Sequence, residues 1–283
     1  MITAKSALLH LTHYDPMWYK TKETETKPDV QFICEMLDNM KSQEFDYLIL
    51  DCADAIEYDT HPELKRNYSI SKKEVETIVN KANANNIDII PKLNFSRSYL
   101  HKHNEWFRPY NELFDTDEYW DHAFKLIDEL IDILQPKKFF HIGMDEDHNR
   151  SSKIYLDAIL KLRAHLQKRG LKTIMWNDMG INHRAGEVFV EKINNVIDDI
   201  PEDVIQIVWQ YSEVNVEILE RLIKKDFEVW LAPANNSDLI YQWKSKCSDC
   251  EFGVVFTLWK PVNKNNRELY ENKFRIFSEA INR

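Results

Sequence analysis

The chain has 283 residues, of which 43% are hydrophobic and 30% are charged, with only 5 glycines and 9 prolines. This content of large apolar residues excludes a disordered chain, and no stretch approaches the roughly 18 consecutive apolar residues of a membrane span. The balance of 37 basic against 47 acidic residues gives a net charge of -10. We therefore expect neither nucleic acid nor a membrane as a partner. At about 150 residues per domain, the length leaves one domain or two open.

The four cysteines are too few for a disulfide scaffold in a chain of this length. The first residues lack the apolar stretch of a secretory signal, because His10 and His13 interrupt it. We therefore expect a reducing, cytoplasmic setting. Cys247 and Cys250 have the spacing of a zinc-ligand pair, but the chain contains no second pair, so two ordinary thiols are the simpler interpretation.

Short apolar runs rich in β-branched and aromatic residues alternate with amphipathic stretches along the chain. The predicted strands cover residues 6–12, 46–52, 87–93, 138–142, 172–176, 204–209, 227–232 and 253–259. The predicted helices cover residues 28–43, 71–85, 115–134, 151–169, 186–197, 213–225, 236–245 and 265–281. Ser71 and Glu74 have the spacing of a capping box at the start of the second helix, and Gly170 ends the fourth helix as a C-cap residue.

Eight strands in strict alternation with eight helices predict a parallel sheet. In a chain of this length they predict a single (β/α)8 TIM barrel, which would occupy residues 1–283 as one domain. A doubly wound open sheet is the competing architecture. It would need a glycine-rich turn after an early strand to hold a nucleotide phosphate, and the five glycines form no such turn.

In such barrels the functional residues collect at the carboxyl ends of the strands. Carboxylates and tryptophans are concentrated there in this sequence. The five tryptophans at or just beyond predicted strand ends are Trp18, Trp176, Trp209, Trp230 and Trp259. Indole rings beside carboxylates are typical of a sugar site, because the C–H faces of a pyranose pack on aromatic rings while its hydroxyls bind acidic groups.

The segment His141-Ile-Gly-Met-Asp-Glu-Asp147 follows the fourth predicted strand. Adjacent carboxylates at a strand end repel one another and lose solvent, so we expect the pKa of one of them to rise. A glutamic acid at Glu146 with a raised pKa could deliver its proton to a leaving oxygen as a general acid. Gly143 would allow the backbone to bend tightly. A solvated acidic loop is the alternative interpretation.

The segment Phe140-His-Ile-Gly-Met-Asp-Glu146 resembles the strand-4 signature of family 20 glycoside hydrolases, the β-N-acetylhexosaminidases. Segments that contain Asp54, Asn94, Asp178 and Tyr211 fall on the strands expected for that family. The resemblance extends over most of the barrel and is strongest to a poorly characterised bacterial group of such proteins. It implies a glycosidase, for which we expect no metal and no cofactor.

The resemblance implies that a terminal sugar, such as an N-acetylhexosamine, is removed from a small carbohydrate or glycoconjugate by a substrate-assisted, retaining mechanism. Glu146 would be the general acid. Asp145 would orient the 2-acetamido group of the substrate, whose carbonyl oxygen attacks the anomeric carbon. The expected substrate-binding residues are Asp54, Asn94, Arg97, His141, Trp176, Asp178, Trp209, Tyr211, Trp259 and Lys260.

The chain departs from the family pattern at positions that grip the sugar. The first strand ends without arginine, Ser96-Arg97 replaces a Gly-His pair, and Lys260 replaces an acidic residue. If Arg97 and Lys260 face the pocket, they would suit a carboxylate-bearing sugar. A carbohydrate-binding barrel without catalysis, or with altered specificity, is therefore the alternative function. A metal-dependent hydrolase is disfavoured, because no His-x-His pair ends the first strand.

Overall fold

The computed structural model describes residues 1–12, 24–98, 104–234, 236–247 and 250–283. Parallel strands in these ranges close into a barrel in chain order, so the predicted (β/α)8 TIM barrel is confirmed. The strands are β1 (Ile2–His10), β2 (Tyr47–Asp51), β3 (Asp88–Lys92), β4 (Phe139–His141), β5 (Lys172–Asn177), β6 (Ile205–Trp209), β7 (Val229–Ala232) and β8 (Phe252–Phe256).

Helices follow the strands and cover the outside of the barrel. The α-helices of the described ranges are α1 (Val30–Ser42), α2 (Lys72–Ala84), α3 (Asp117–Leu134), α4 (Ser152–Lys168), α5 (Glu187–Val196), α6 (Val216–Ile223), α7 (Ser237–Lys246) and α8 (Arg267–Asn282). The predicted capping box of Ser71 and Glu74 starts α2. Gly170 follows α4 with a φ of 74°, as a C-cap glycine does. Within the described ranges, no helix is long and apolar enough to cross a membrane.

The strands are buried on both faces, as strands of a parallel barrel must be. In β2, for example, Leu48 and Leu50 join the core between the sheet and the helices, whereas Ile49 joins the smaller core inside the barrel. Side chains two residues apart on a strand share a face. This alternation therefore decides which side chains point into the barrel.

The layer near the amino ends of the strands is aromatic. Trp230 packs there against Tyr47 and Phe139, with ring centroids 5.6 and 5.8 Å away. A Cβ on Gly253 would lie 2.4 Å from Cδ1 of Trp230. The expectation that Trp230 belongs to the functional rim is therefore wrong. This indole is the second residue of β7, and it fills the opposite end of the barrel.

The layer near the carboxyl ends of the first four strands is polar. His10, Asp51, Lys92 and His141 are neighbours in strand register, and all four are buried. Lys92 Nζ donates to Asp51 Oδ2 at 2.7 Å, and His10 Nδ1 donates to the same oxygen at 2.8 Å. Burial alone would raise the pKa of Asp51, but Lys92 and His10 outweigh it and hold that pKa well below its usual range. The layer directly beneath the rim therefore contains a buried carboxylate, Asp51, whose charge is matched by the buried cation of Lys92.

We predict that Lys92→Met lowers the free energy of unfolding by about 3–5 kcal/mol, because it removes the cation from a buried carboxylate. Adding Asp51→Asn should recover part of this loss, since the double variant contains neither charge. Urea unfolding of the four members of this double-mutant cycle measures both effects. Equal losses in Lys92→Met and in the double variant would contradict the charge-matching explanation.

Candidate active site

The turn after β4 carries the adjacent carboxyl groups of Asp145 and Glu146, and its backbone is left-handed at three residues. The φ angles are 72° at Gly143, 77° at Met144 and 50° at Glu146. Residues other than glycine adopt such angles at an energetic cost, which persists only where surrounding contacts hold the chain. The shape of this turn must therefore depend on the groups that bind it.

Asn94, just beyond the end of β3, is one of those groups. Its Oδ1 accepts the backbone N–H of Met144 at 3.2 Å, and its Nδ2 donates to Asp145 Oδ1 at 2.7 Å. Gly143 allows this approach, because a Cβ there would lie 2.3 Å from Asn94 Oδ1. The tight bend predicted at Gly143 is confirmed, and the close contact adds a second reason for glycine.

Two side chains from other elements also hold the turn. Tyr155 on α4 donates its hydroxyl to the carbonyl oxygen of Met144 at 2.9 Å. Asp178, which follows β5, accepts the backbone N–H of Glu146 on its Oδ2 at 2.8 Å. The turn is thus bound from three directions, by the ends of β3 and β5 and by α4.

Asp178 brings a third carboxyl group to the predicted pair. Its side chain is buried, and its Oδ1 accepts Nε1–H of Trp209 at 3.0 Å. Burial raises the pKa of Asp178 well above its ordinary value, and the negative charges of Asp145 and Glu146 add to the rise. A raised pKa is thus found at Asp178, a carboxyl group outside the adjacent pair for which the sequence predicted it.

Four aromatic side chains lie beside these carboxyl groups. Ring centroids are 5.5 Å apart for Trp209 and Tyr211, and 5.8 Å apart for Trp176 and Trp259. Trp259 Nε1 donates to the hydroxyl oxygen of Tyr211 at 3.0 Å. Trp176 is buried, whereas the other three are half-buried. These three rings therefore keep apolar surface accessible at the rim.

The rings of Trp176, Trp209, Tyr211 and Trp259 form what we call the aromatic wall. His141 lies beneath it as a neutral imidazole. Burial lowers the pKa of His141 well below its ordinary value, and the charge of Lys92 lowers it further. Its Nδ1 accepts the backbone N–H of Gly143 at 3.0 Å, so the ring proton is on Nε2. The buried Nε2 has no hydrogen-bond partner among the described residues. The ring centroid of Trp176 is 4.9 Å away, so His141 supports the base of the aromatic wall.

Most of the predicted site residues thus form one unbroken series of contacts. The series runs through Asn94, Asp145, Glu146, Asp178, Trp209, Tyr211, Trp259, Trp176 and His141. It joins the ends of β3, β4, β5, β6 and β8, which is the geometry that the strand-end argument predicts.

Three predicted substrate-binding residues have other surroundings. Asp54 is buried, and its Oδ2 accepts from Arg66 at 3.2 Å and from Tyr68 at 2.9 Å. The guanidinium of Arg97 lies over the ring of Phe114 and 3.9 Å from Asp115. Lys260 is exposed to solvent. The guanidinium of Arg97 is thus engaged by Phe114 and Asp115, whereas the preference for a carboxylate-bearing sugar stays a prediction.

The last acidic residue of the strand-4 segment, Asp147, is structural. Its carboxylate is buried and binds Arg150 Nη1 at 2.8 Å and Lys192 Nζ at 2.9 Å. Burial would raise the pKa of Asp147, but these two cations outweigh it and lower that pKa. Arg150 also binds Asp115 at 2.9 Å, which fixes the loop before α3.

Sequence reasoning missed Lys92 and Tyr155. Lys92 could have been recognised, because it occupies an inward position two residues before Asn94. Tyr155 lies within a helix, where no sequence pattern distinguishes it from core packing. Trp18, which is predicted at the rim, lies outside the described residues, as do His13, Tyr14, Asp15, His101, His103 and Asn235.

Within the described ranges, no group of three or more His, Cys, Asp or Glu side chains could hold a metal ion. Cys247 and Cys250 are free thiols. Burial raises the pKa of Cys247 to about 11. That thiol is therefore protonated in the metal-free protein at neutral pH.

Comparison with solved structures finds the same fold in family 20 glycoside hydrolases. The chitobiase of Flavobacterium johnsoniae matches with a TM-score of 0.71 at 16% identity, over 99% of this chain and 48% of that protein. Dispersin B matches with a TM-score of 0.62 at 16% identity, over 99% of this chain and 98% of its own. The exo-β-N-acetylglucosaminidase of Vibrio harveyi, in complex with N-acetylglucosamine, matches with a TM-score of 0.68 at 12% identity, over 98% of this chain and 53% of that protein.

This chain thus spans about half the length of two of these three relatives and nearly all of dispersin B. No family model and no curated protein sequence matches it. At identities this low, the shared property is the architecture. The chain has the fold of the family 20 β-N-acetylhexosaminidases, as the resemblance of the strand-4 segment predicted.

Gly143 and Gly170 are a matched pair for testing the turn, because both are left-handed but only Gly143 is crowded. We predict that Gly170→Ala costs about 1–2 kcal/mol through its backbone angle alone. Gly143→Ala should cost about 1–3 kcal/mol more, since its Cβ collides with Asn94. Urea unfolding of both variants measures the difference. Equal costs would mean that Asn94 moves aside freely and does not hold the turn.

The neutral state of His141 predicts a dependence of stability on pH. The unfolded chain binds a proton near pH 6.5 and the folded chain does not. Stability should therefore be lost as pH falls below 6.5, by up to about 1.4 kcal/mol per pH unit for this histidine. His141→Asn keeps an acceptor for the Gly143 N–H, because its Oδ1 takes the place of Nδ1, but it does not titrate, so its unfolding free energy should decline less between pH 7.5 and pH 5. Parallel declines in the two proteins would argue against a buried neutral His141.

Proposed function

We propose that this protein is a glycoside hydrolase that removes a terminal sugar from a small carbohydrate or glycoconjugate. The observation that carries the proposal is the pair Asp145–Glu146 on a clamped turn, in one series of contacts with Trp209, Tyr211 and Trp259. Carboxyl groups supply the acid chemistry, and aromatic faces bind the C–H faces of a sugar ring. The fold shared with family 20 glycosidases agrees with this proposal.

Glu146 is the proposed general acid. Its side chain is half-buried, so it combines access to a ligand with partial removal from water. In the first step it gives its proton to the leaving oxygen while the bond from that oxygen to the anomeric carbon breaks. In the second step the carboxylate takes a proton from the attacking water, which restores the acid.

Asp145 and Tyr211 are the proposed partners of a 2-acetamido group. The carbonyl oxygen of that group would form the new bond to the anomeric carbon, with the carboxylate of Asp145 accepting the N–H. Asn94 fixes Asp145 by the hydrogen bond at 2.7 Å. Burial, together with the charges of Asp145 and Glu146, raises the pKa of Tyr211, so its hydroxyl keeps a proton to donate. The N-acetylglucosamine bound to the Vibrio harveyi enzyme supports this substrate class.

We expect the wild-type protein to hydrolyse an aryl N-acetylhexosaminide and Glu146→Gln to lose about 10²–10⁴-fold in kcat, because the amide cannot supply a proton. The panel should contain aryl N-acetylglucosaminide, N-acetylgalactosaminide, glucoside and glycosides of acidic sugars. Glu213→Gln, an exposed carboxyl change after β6 at the same end of the barrel, is the matched control and should retain full activity.

Substrate assistance makes a further distinction within the same panel. The 2-acetamido substrates should react, and the 2-hydroxy glucoside should not, because it lacks the attacking carbonyl oxygen. Fluorine atoms on the acetamido methyl should lower the rate, since they withdraw electrons from that oxygen. Equal turnover of the glucoside would contradict the roles proposed for Asp145 and Tyr211.

A carbohydrate-binding barrel without turnover is the second candidate. It is favoured by the departure from the family pattern at Ser96-Arg97, which replaces a pair that grips the sugar. The guanidinium of Arg97 lies over Phe114 and near Asp115, so its contacts are with the protein's own side chains. Calorimetric titration with N-acetylglucosamine separates the two candidates. Binding without hydrolysis of any glycoside in the panel would support the second one. Hydrolysis that Glu146→Gln leaves unchanged would contradict the first.

A further inference from the structure

Asp178 has a more constrained environment than a sugar-binding residue requires. It follows β5 in a short 3-10 turn, Asp178–Gly180, where Asn177 accepts the backbone N–H of Met179 at 2.9 Å. A Cβ on Gly180 would lie 2.5 Å from the carbonyl oxygen of Trp209, so this turn is packed directly against the end of β6. The carboxyl group of Asp178 is 4% exposed. Its position is therefore determined by the barrel itself.

The two carboxyl oxygens of Asp178 each accept a hydrogen bond from a different neighbouring element. Oδ2 accepts the backbone N–H of Glu146 at 2.8 Å, and Oδ1 accepts the indole N–H of Trp209 at 3.0 Å. One side chain thus joins the turn after β4 to the aromatic wall at the end of β6. These are the two features of the site that must face the same bond of a substrate.

The chemistry of two N–H donors explains why a carboxyl group stands at this position. An asparagine side chain offers one acceptor oxygen, and its NH₂ group would meet the second N–H donor. Only a carboxyl group supplies an acceptor to both Glu146 and Trp209. This arrangement is retained even though the charges of Asp145 and Glu146 oppose a third negative charge nearby.

The hydrogen bond from the Glu146 N–H to Asp178 matters because it holds a strained backbone in place. Its φ of 50° lies in the left-handed region, which a glutamate adopts only under constraint. That backbone angle determines the direction of the Cα–Cβ bond of Glu146, from which the carboxyl group extends. A loosened peptide would let the turn relax and carry the carboxyl group away from its working direction.

We propose that Asp178 is a positioning residue that fixes the direction of Glu146 and Trp209, and that it does not bind the sugar hydroxyls. The proposal rests on the glycosidase function proposed above for Glu146. It replaces the role that the sequence suggested for Asp178, and it assigns the geometry of the acid to a residue on a different strand. It also predicts which kinetic step depends on Asp178.

The test compares wild type, Asp178→Asn and Trp209→Phe on aryl N-acetylhexosaminides with good and poor leaving groups. A misdirected acid matters little when the leaving group needs no proton, as with dinitrophenolate. For Asp178→Asn we expect kcat/KM, which reports the first step and not the later attack of water, to fall about 10–100-fold with a phenyl leaving group and less than about 3-fold with dinitrophenyl, that is by no more than general acid catalysis contributes. KM should change less than about 3-fold. Trp209→Phe keeps the Glu146 bond and should show a smaller effect of the same kind.

Opposite kinetics would overturn the proposal. If Asp178→Asn raises KM with every leaving group and leaves kcat unchanged, Asp178 binds the sugar directly. A uniform fall of kcat/KM with all leaving groups would also contradict it, because a misplaced acid must discriminate between them in the first step. Glu213→Gln is again the control, and circular dichroism with thermal unfolding establishes that each variant is folded.

Amide hydrogen exchange, measured by NMR on the full chain, tests the same proposal without turnover. The N–H of Glu146 should exchange at least about 10-fold faster in Asp178→Ala, whose methyl group accepts neither N–H, while the N–H of Ile174 within β5 should be unchanged. If wild type hydrolyses no glycoside and this acceleration is observed, the proposed glycosidase function fails and the positioning by Asp178 stands. If the Glu146 amide exchanges at the same rate in both proteins, the positioning fails whether or not the enzyme is active.

Discussion

Carboxylates buried at the carboxyl ends of barrel strands must be matched by donors, and this constraint organises the functional end of the molecule. Asp51 is matched by Lys92 and His10, and Asp147 by Arg150 and Lys192. Asp178 differs from both, because its hydrogen-bond donors are two uncharged N–H groups. An uncharged donor stabilises a carboxylate less than a cation does. Of these three carboxyl groups, Asp178 therefore has the weakest electrostatic match, and burial raises its pKa well above the ordinary value.

The strained turn after β4 likewise depends on hydrogen bonds from neighbouring elements. Gly143 brings the chain against Asn94, and the left-handed residues after it direct Asp145 and Glu146 to the rim. Asn94, Tyr155 and Asp178 then hold the turn from separate elements. Strain of this kind is stable only when several neighbours determine it together. The reactive geometry is thus a property of three strands and a helix, and not of the strand-4 segment alone.

The architecture could be predicted because periodicity is a local property. Alternating apolar runs predict the barrel, the pair Ser71–Glu74 predicts the start of α2, and the bend at Gly143 follows from its lack of a Cβ. The direction of a side chain in a loop, in contrast, depends on residues that are distant in the sequence. Arg97 follows β3 as expected, yet Phe114 and Asp115, which are distant in sequence, determine where its guanidinium lies.

The depth of a side chain within the barrel could not be predicted from the sequence either. Trp230 and Trp176 both lie on strands and face inward. Strand register puts Trp230 near the amino ends of the strands and Trp176 beneath the rim. That register depends on how all eight strands pair, and no single segment contains this information. Of the predicted strand-end tryptophans, the structure thereby places Trp176, Trp209 and Trp259 in the aromatic wall and excludes Trp230 from it. Because Asp178 joins Trp209 to the turn that carries Glu146, the sugar binding and proton delivery proposed above would be coupled through one buried carboxyl group. A change in the aromatic wall should therefore alter the direction of the acid as well as the affinity for the sugar.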